Sequence, residues 1–184
     1  MRPLIALVLF AAPAAAQTCP PAADDAVARA ALIAQMQQAK TAAAASLLMN
    51  DYWRLQTVAP DAKAQALLDQ GMTERADADL EAARATLDRL VAYCPDFVEG
   101  YNQRAFVAFL AADFPAALAD LDRVLAVEPN HIGALSGKAL VLMGLGRVAE
   151  AQRTLRAALA LNPWLPERDM LLKPPDGKPA GESL

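Results

Sequence analysis

The side chains with which this chain could do covalent or metal chemistry are few and far apart. It has one histidine, His131, and two cysteines, Cys19 and Cys94. A nucleophile needs a base within reach, acid–base catalysis needs facing carboxylates, and a metal needs several converging ligands. Asp24 and Asp25 are neighbours, but adjacent positions on a helix point apart. There is no C-x-x-C, and His131, just after Pro129 and Asn130 at an expected helix start, reads as a plain surface residue. Trp53 and Trp164 read as residues covering apolar helix faces rather than as a cofactor box. No catalytic, cofactor-binding or metal-ligating residue is assigned, and the expectation is a protein that is not an enzyme.

The first residues, MRPLIALVLFAAPAAAQ, set one positive charge ahead of an apolar run from Leu4 to Ala12, followed by Ala14 and Ala16 in an A-x-A setting. This reads as a signal peptide over residues 1–16, cleaved near Ala16, with the mature chain periplasmic or secreted. The run falls short of the roughly 20 residues a membrane span requires. Gln17 and Thr18 stand where a lipidation signal would need a small residue and a nearby leucine. In an oxidising compartment two cysteines favour one disulfide, Cys19 to Cys94. It would close a loop of about 75 residues and contribute on the order of 4 kcal/mol on the chain-entropy view. Without residues 1–16 the chain carries 16 basic against 21 acidic residues, a net charge of −5, which argues against nucleic acid as partner.

The elements that would position any site announce themselves by a period. Pro95, Pro129 and Pro163 are spaced by 34 residues. In the windows 64–97, 98–131 and 132–165, Ala83, Ala117 and Ala151 share one column, and Leu87, Leu121 and Leu155 share another four residues on. A third column, Gly71, Ala105 and Ala139, is small throughout, which lets two helices approach while the leucine fills the space beside it. Each window is thus expected to be a helical hairpin. Asp79 and Asp113 are expected helix N-caps, the latter with Pro115 in the first turn. Gly144 and Gly146 suit a left-handed helix end. The three prolines stop each second helix, and Asp96 or Asn130 beside them is expected to start the next.

This pattern resembles the tetratricopeptide repeat, whose outline is W-x2-L-G-x2-Y, then A-x3-F, then P. The A-x3-[large apolar] and Pro elements stand in all three windows, Gly71 keeps the glycine, and Leu67, Tyr101 and Leu135 take the bulky first position. Departures are Arg104 and Lys138 where the family often has Leu, and Glu74 and Ala108 where it often has an aromatic. The resemblance covers residues 64 to 165 and implies an all-α solenoid of antiparallel hairpins. In the family Arg often stands at the Arg104 position beside an acid on the second helix, which implies an Arg104–Asp120 ion pair, with Lys138 reaching Asp120 from the next repeat.

Residues 17–61 are expected to form an N-terminal helical pair outside the 34-residue frame. Thr41 and Asp61, both N-cap types in a similar setting, favour a split into helices over about 24–39 and 42–58; one unbroken helix is the alternative. The apolar residues of this pair are expected to cover the open face of the first repeat. Trp164 to Leu172 would cap the third repeat, completing a repeat region over 62–172, and residues 173–184, rich in Pro, Gly and charge, read as a disordered tail.

The resemblance also implies peptide binding along the inner face of the first helices. Those columns hold Leu68, Met72, Arg75, Asn102, Phe106, Phe109, Ser136, Leu140 and Met143. Most are apolar, and methionines adapt to varied partners. The functional expectation is a non-enzymatic interaction module or scaffold of the cell envelope. Its groove would take an apolar or amphipathic segment of another envelope protein, with Asn102 bonding the partner's backbone. The other class is an accessory subunit of a redox, secretion or cytochrome-maturation complex. The groove could also be filled by the protein's own leading helices or C-terminal segment.

Overall fold

A computed structural model describes residues 18–172; the signal-peptide and disordered-tail readings of residues 1–16 and 173–184 lie outside them. Eight α-helices occur among the described residues: α1 Ala26–Gln38, α2 Ala42–Gln56, α3 Ala62–Ala76, α4 Leu80–Tyr93, α5 Val98–Leu110, α6 Phe114–Val127, α7 Ile132–Gly144 and α8 Val148–Leu161. A 3-10 helix, Pro166–Met170, follows. No described helix is long and apolar enough to cross a membrane.

The helix starts follow from local chemistry. Thr41 Oγ1, Asp61 Oδ1, Asp79 Oδ1 and Asp113 Oδ1 accept from the amides of Ala44, Ala64, Ala82 and Ala116 at 3.2, 2.8, 3.1 and 3.3 Å. Each satisfies one of the amides that a helix start leaves without an internal partner. The split of the leading region into α1 and α2 thus rests on the Thr41 cap. Asp96 and Asn130 do not cap; Phe97 and His131 hold the N-cap positions of α5 and α7.

The hairpin turns close alike. The amides of Asp79, Asp113 and Arg147 reach back to the carbonyls of Glu74, Ala108 and Leu142 at 2.9, 2.8 and 2.8 Å. The residue before each is left-handed: Ala78 at φ 62°, Ala112 at φ 57° and Gly146 at φ 71°. Gly144 instead lies inside α7, where a Cβ would come within 2.7 Å of the Phe114 ring.

Successive hairpins α3–α4, α5–α6 and α7–α8 stack, α4 packing on α5 and α6 on α7. Ala83, Ala117, Ala151, Leu87 and Leu155 are fully buried and Leu121 nearly so. A Cβ on Gly71 would lie 2.7 Å from Leu87 Cγ, so the small column is small because the leucine column fills it. Between the first two repeats Arg104 gives a two-pronged bond to Asp120 at 2.8 and 2.7 Å and a third to Asp88 at 2.8 Å. With Asp120 already engaged, Lys138 pairs with Asp122 at 2.6 Å and not with Asp120.

The leading pair does not cover the first repeat. α1 packs on α8, and Met36 and Tyr52 share a buried cluster with Ile132, Ala158 and Leu165 at the third repeat. Polar bonds fix the docking. The Tyr52 hydroxyl accepts from the Ile132 amide at 3.3 Å, Arg29 and Gln56 both donate to Glu128 at 3.2 Å, and Trp164 Nε1 donates to the Ala39 carbonyl at 3.2 Å. Both ends of the pair are nevertheless held at the first repeat. Cys19, ahead of α1, is disulfide-bonded to Cys94 with Cα atoms 5.1 Å apart, and α2 runs on into α3, whose cap residue Asp61 accepts from Tyr93 at 2.6 Å within the first repeat. The α1–α2 hairpin is therefore a strap running from the first repeat to the third. At the other end the Gln152 side chain bonds the Met170 carbonyl and the Leu172 amide at 3.0 and 2.8 Å, fastening the C-terminal segment to α8.

Candidate functional site

The first helices of the three repeats, α3, α5 and α7, form the floor of a cleft of about 620 Å³. The strap supplies one wall through Met49, Trp53, Arg54 and Thr57, and Leu165, Pro166 and Glu167 supply another. Of the residues expected to line it, Met72, Arg75, Asn102, Phe106, Phe109, Ser136 and Leu140 do. Leu68 does not. It is fully buried in a cluster with Leu87, Leu90 and Val107, because its turn of α3 faces the seam with α4 and α5. Met143, on the last turn of α7, lies outside the lining.

Phe106 is the most exposed large apolar side chain of the floor, at 45%. The Arg75 guanidinium sits over its ring at 4.4 Å, a contact that keeps the cation at the cleft surface. Burial pushes the Arg75 pKa below its usual range, with the charge of Glu99 opposing that shift.

Beneath the floor lies a polar network that sequence reasoning missed. Glu99 is fully buried on α5 and its carboxylate accepts from Asn102 Nδ2 at 3.1 Å, from Gln103 Nε2 and from His131 Nε2 at 3.0 Å. Gln103 Oε1 in turn accepts from Arg75 Nη1 at 2.7 Å. Burying a carboxylate is costly unless donors surround it, and here three do, with a cation one residue further on.

His131 is fully buried, not a surface residue. Its Nδ1 accepts from the Ala134 amide at 3.1 Å, so the proton sits on Nε2 and points at Glu99. Both ring nitrogens are engaged, one as helix cap and one as carboxylate donor. A resemblance to a catalytic dyad is thus structural, since neither nitrogen is left to take a proton from a substrate. Asn102 is likewise committed through its amide nitrogen, which donates to both oxygens of Glu99 at 3.1 and 3.3 Å.

Trp53 reaches the cleft by packing on α7. A Cβ on Gly133 would lie 2.6 Å from the indole, and the His131 ring lies edge-on at 6.3 Å. The signal in the sequence was Gly133 itself. A glycine early in a helix that makes no turn marks a close approach by another side chain.

Stacked antiparallel hairpins with a concave face of this kind define a helical-repeat solenoid. A family model described as tetratricopeptide repeat matches residues 108–172. Residues 108–172 are thus tetratricopeptide-repeat sequence, set in an all-α solenoid of the tetratricopeptide kind. Among solved structures it is similar to "TPR2B-domain:pHsp70-complex of yeast Sti1", at 26% identity and a TM-score of 0.53 over 55% of this chain and 81% of that one. It also shares its fold with a crystal structure of MamA protein, at 18% identity and a TM-score of 0.51 over 82% of this chain and 81% of that one. No curated protein matches the chain.

Proposed function

We propose that this protein is a non-enzymatic interaction module that holds an apolar or amphipathic segment of another protein in the cleft between its strap and its repeats. The observation that carries this reading is the exposed apolar floor. Phe106 is exposed and Met72, Phe109 and Leu140 are half-buried, so together they leave apolar surface along the cleft floor. Apolar surface left in a concave site favours a partner that removes it from water. The similar TPR2B domain of yeast Sti1, solved as its complex with pHsp70, supports partner binding as a use of the fold. The setting we assign is the cell envelope, on the strength of the signal-like residues 1–16 and the Cys19–Cys94 disulfide. The partner is accordingly another envelope protein or a peptide segment of one.

Selection from a displayed peptide library tests the site. Peptides enriched on the wild-type protein should lose binding to Phe106→Asp and Leu140→Asp while both variants keep the wild-type circular dichroism and melting temperature. Unchanged binding to both variants would move the site elsewhere.

A further inference from the structure

Charge around the cleft is unevenly satisfied. Arg104 is spent on Asp88 and Asp120, Arg54 pairs with Asp51 on its own helix, and Glu99 is surrounded by three donors. Two charged lining residues stand apart. Among the described residues Arg75 makes one hydrogen bond, to the neutral Gln103, and no ion pair. Glu167 has an oxygen, Oε2, that is shielded from solvent and has no hydrogen-bond partner among the described residues. A shielded carboxylate oxygen without a donor costs free energy that a ligand donor would recover.

The two residues occupy opposite ends of the cleft. Arg75 ends α3, α3 packs on α5, α5 packs on α7, and Glu167 follows in the C-terminal wall. The Arg75 guanidinium itself lies over Phe106 of α5, so one helix-packing step of about 8–10 Å to α7 and a similar one to the C-terminal wall set the poles on the order of 16–20 Å apart. That span matches about 11–13 residues of an α-helix.

We propose that the cleft selects an amphipathic helical segment with an acidic side chain at one end of its apolar stripe and a basic one at the other, the acid meeting Arg75 and the base Glu167. This rests on the groove reading above and adds the charge pattern of the partner. The apolar stripe lies on Phe106, Phe109 and Leu140. The two poles fix the segment's register and direction, as complementary charges do at interfaces.

The test uses three peptides of about 14 residues with the same leucine stripe and terminal charges of Glu and Lys, Glu and Glu, or Lys and Lys. They are titrated calorimetrically into the full disulfide-bonded chain. The Glu/Lys peptide should bind about fivefold more tightly than either other peptide. In Glu167→Lys the preference should pass to Glu/Glu by a similar factor, and in Arg75→Met the gain from the acid should vanish. Glu167 lies outside the helical core, so its variant decides the matter alone if Arg75→Met fails to fold. Equal affinities for all three peptides would overturn the charge pattern and leave the groove standing. No binding of any peptide at roughly millimolar concentration would overturn both.

Discussion

Ala78 and Ala112 occupy left-handed backbone at φ 62° and 57°, in the place where the third hairpin has Gly146 at φ 71°. A left-handed L-residue costs about 1–2 kcal/mol through contact of its Cβ with the following carbonyl. Glycine escapes that contact but loses more freedom on folding, which returns about 0.5–1 kcal/mol of the difference. Ala112→Gly and Ala78→Gly should therefore each stabilise the protein by about 0.5–1 kcal/mol, and Gly146→Ala should destabilise it by a similar amount. At about 2–4 °C per kcal/mol for a domain of this size, the shifts are about 1–4 °C in melting temperature. Ala119, exposed within α6, is the control, since glycine there should cost about 1 kcal/mol. Urea denaturation with an unchanged m-value reads all four. If Ala112→Gly destabilises as Ala119→Gly does, the turn is not left-handed at that position and the three hairpins are not closed alike.

Breaking the Cys19–Cys94 bond by Cys→Ser at both positions should cost about 4.5 kcal/mol, from the 75-residue separation it closes, read as a drop in denaturation midpoint against the oxidised protein. Ala139→Leu or Ala117→Leu should cost about 1–3 kcal/mol by overpacking the fully buried hairpin seam, whereas Ala126→Leu on the exposed side of α6 should cost little; equal midpoints would show the columns to be out of phase. Acid should weaken the fold through depressed carboxylates. Asp61 is held low first by the Ala64 amide and then by Tyr93, Asp113 by Arg84 and then the Ala116 amide, and Glu150 by Arg147. A depressed folded pKa gives stability that is present above the unfolded value, near 4, and is lost as pH falls through the folded one. Denaturation midpoints should thus decline below about pH 4, less steeply in Asp113→Asn and Asp61→Asn.

The repeat architecture was legible because its determinants are local and periodic. The Ala83 and Leu87 columns sit in the seam they imply, and the caps at Asp79 and Asp113 bond as their residue type suggests. The strap was not legible, because its docking on the third repeat depends on contacts across about 80 to 125 residues, such as Tyr52 with Ile132 and Trp164 with Ala39. No periodicity encodes such a contact. The polar network was missed for a related reason. Glu99 and His131 lie 32 residues apart, at the starts of α5 and α7, and each alone looks like a solvated helix-start residue. Leu68 shows the limit of column reasoning, since the same column lines the cleft at Asn102 and Ser136 and is core in the first repeat.

The central claim is that the strap and the three repeats together form one binding cleft. Amide and indole chemical shifts of the isotopically labelled protein, followed while the Glu/Lys peptide is added, test it most directly. The Trp53 indole N–H should move together with the amides of Met72, Phe106 and Leu140, while the exposed positions of α4, α6 and α8 stay still. Shifts confined to α4, α6 and α8, or a silent Trp53 beside a perturbed floor, would contradict it.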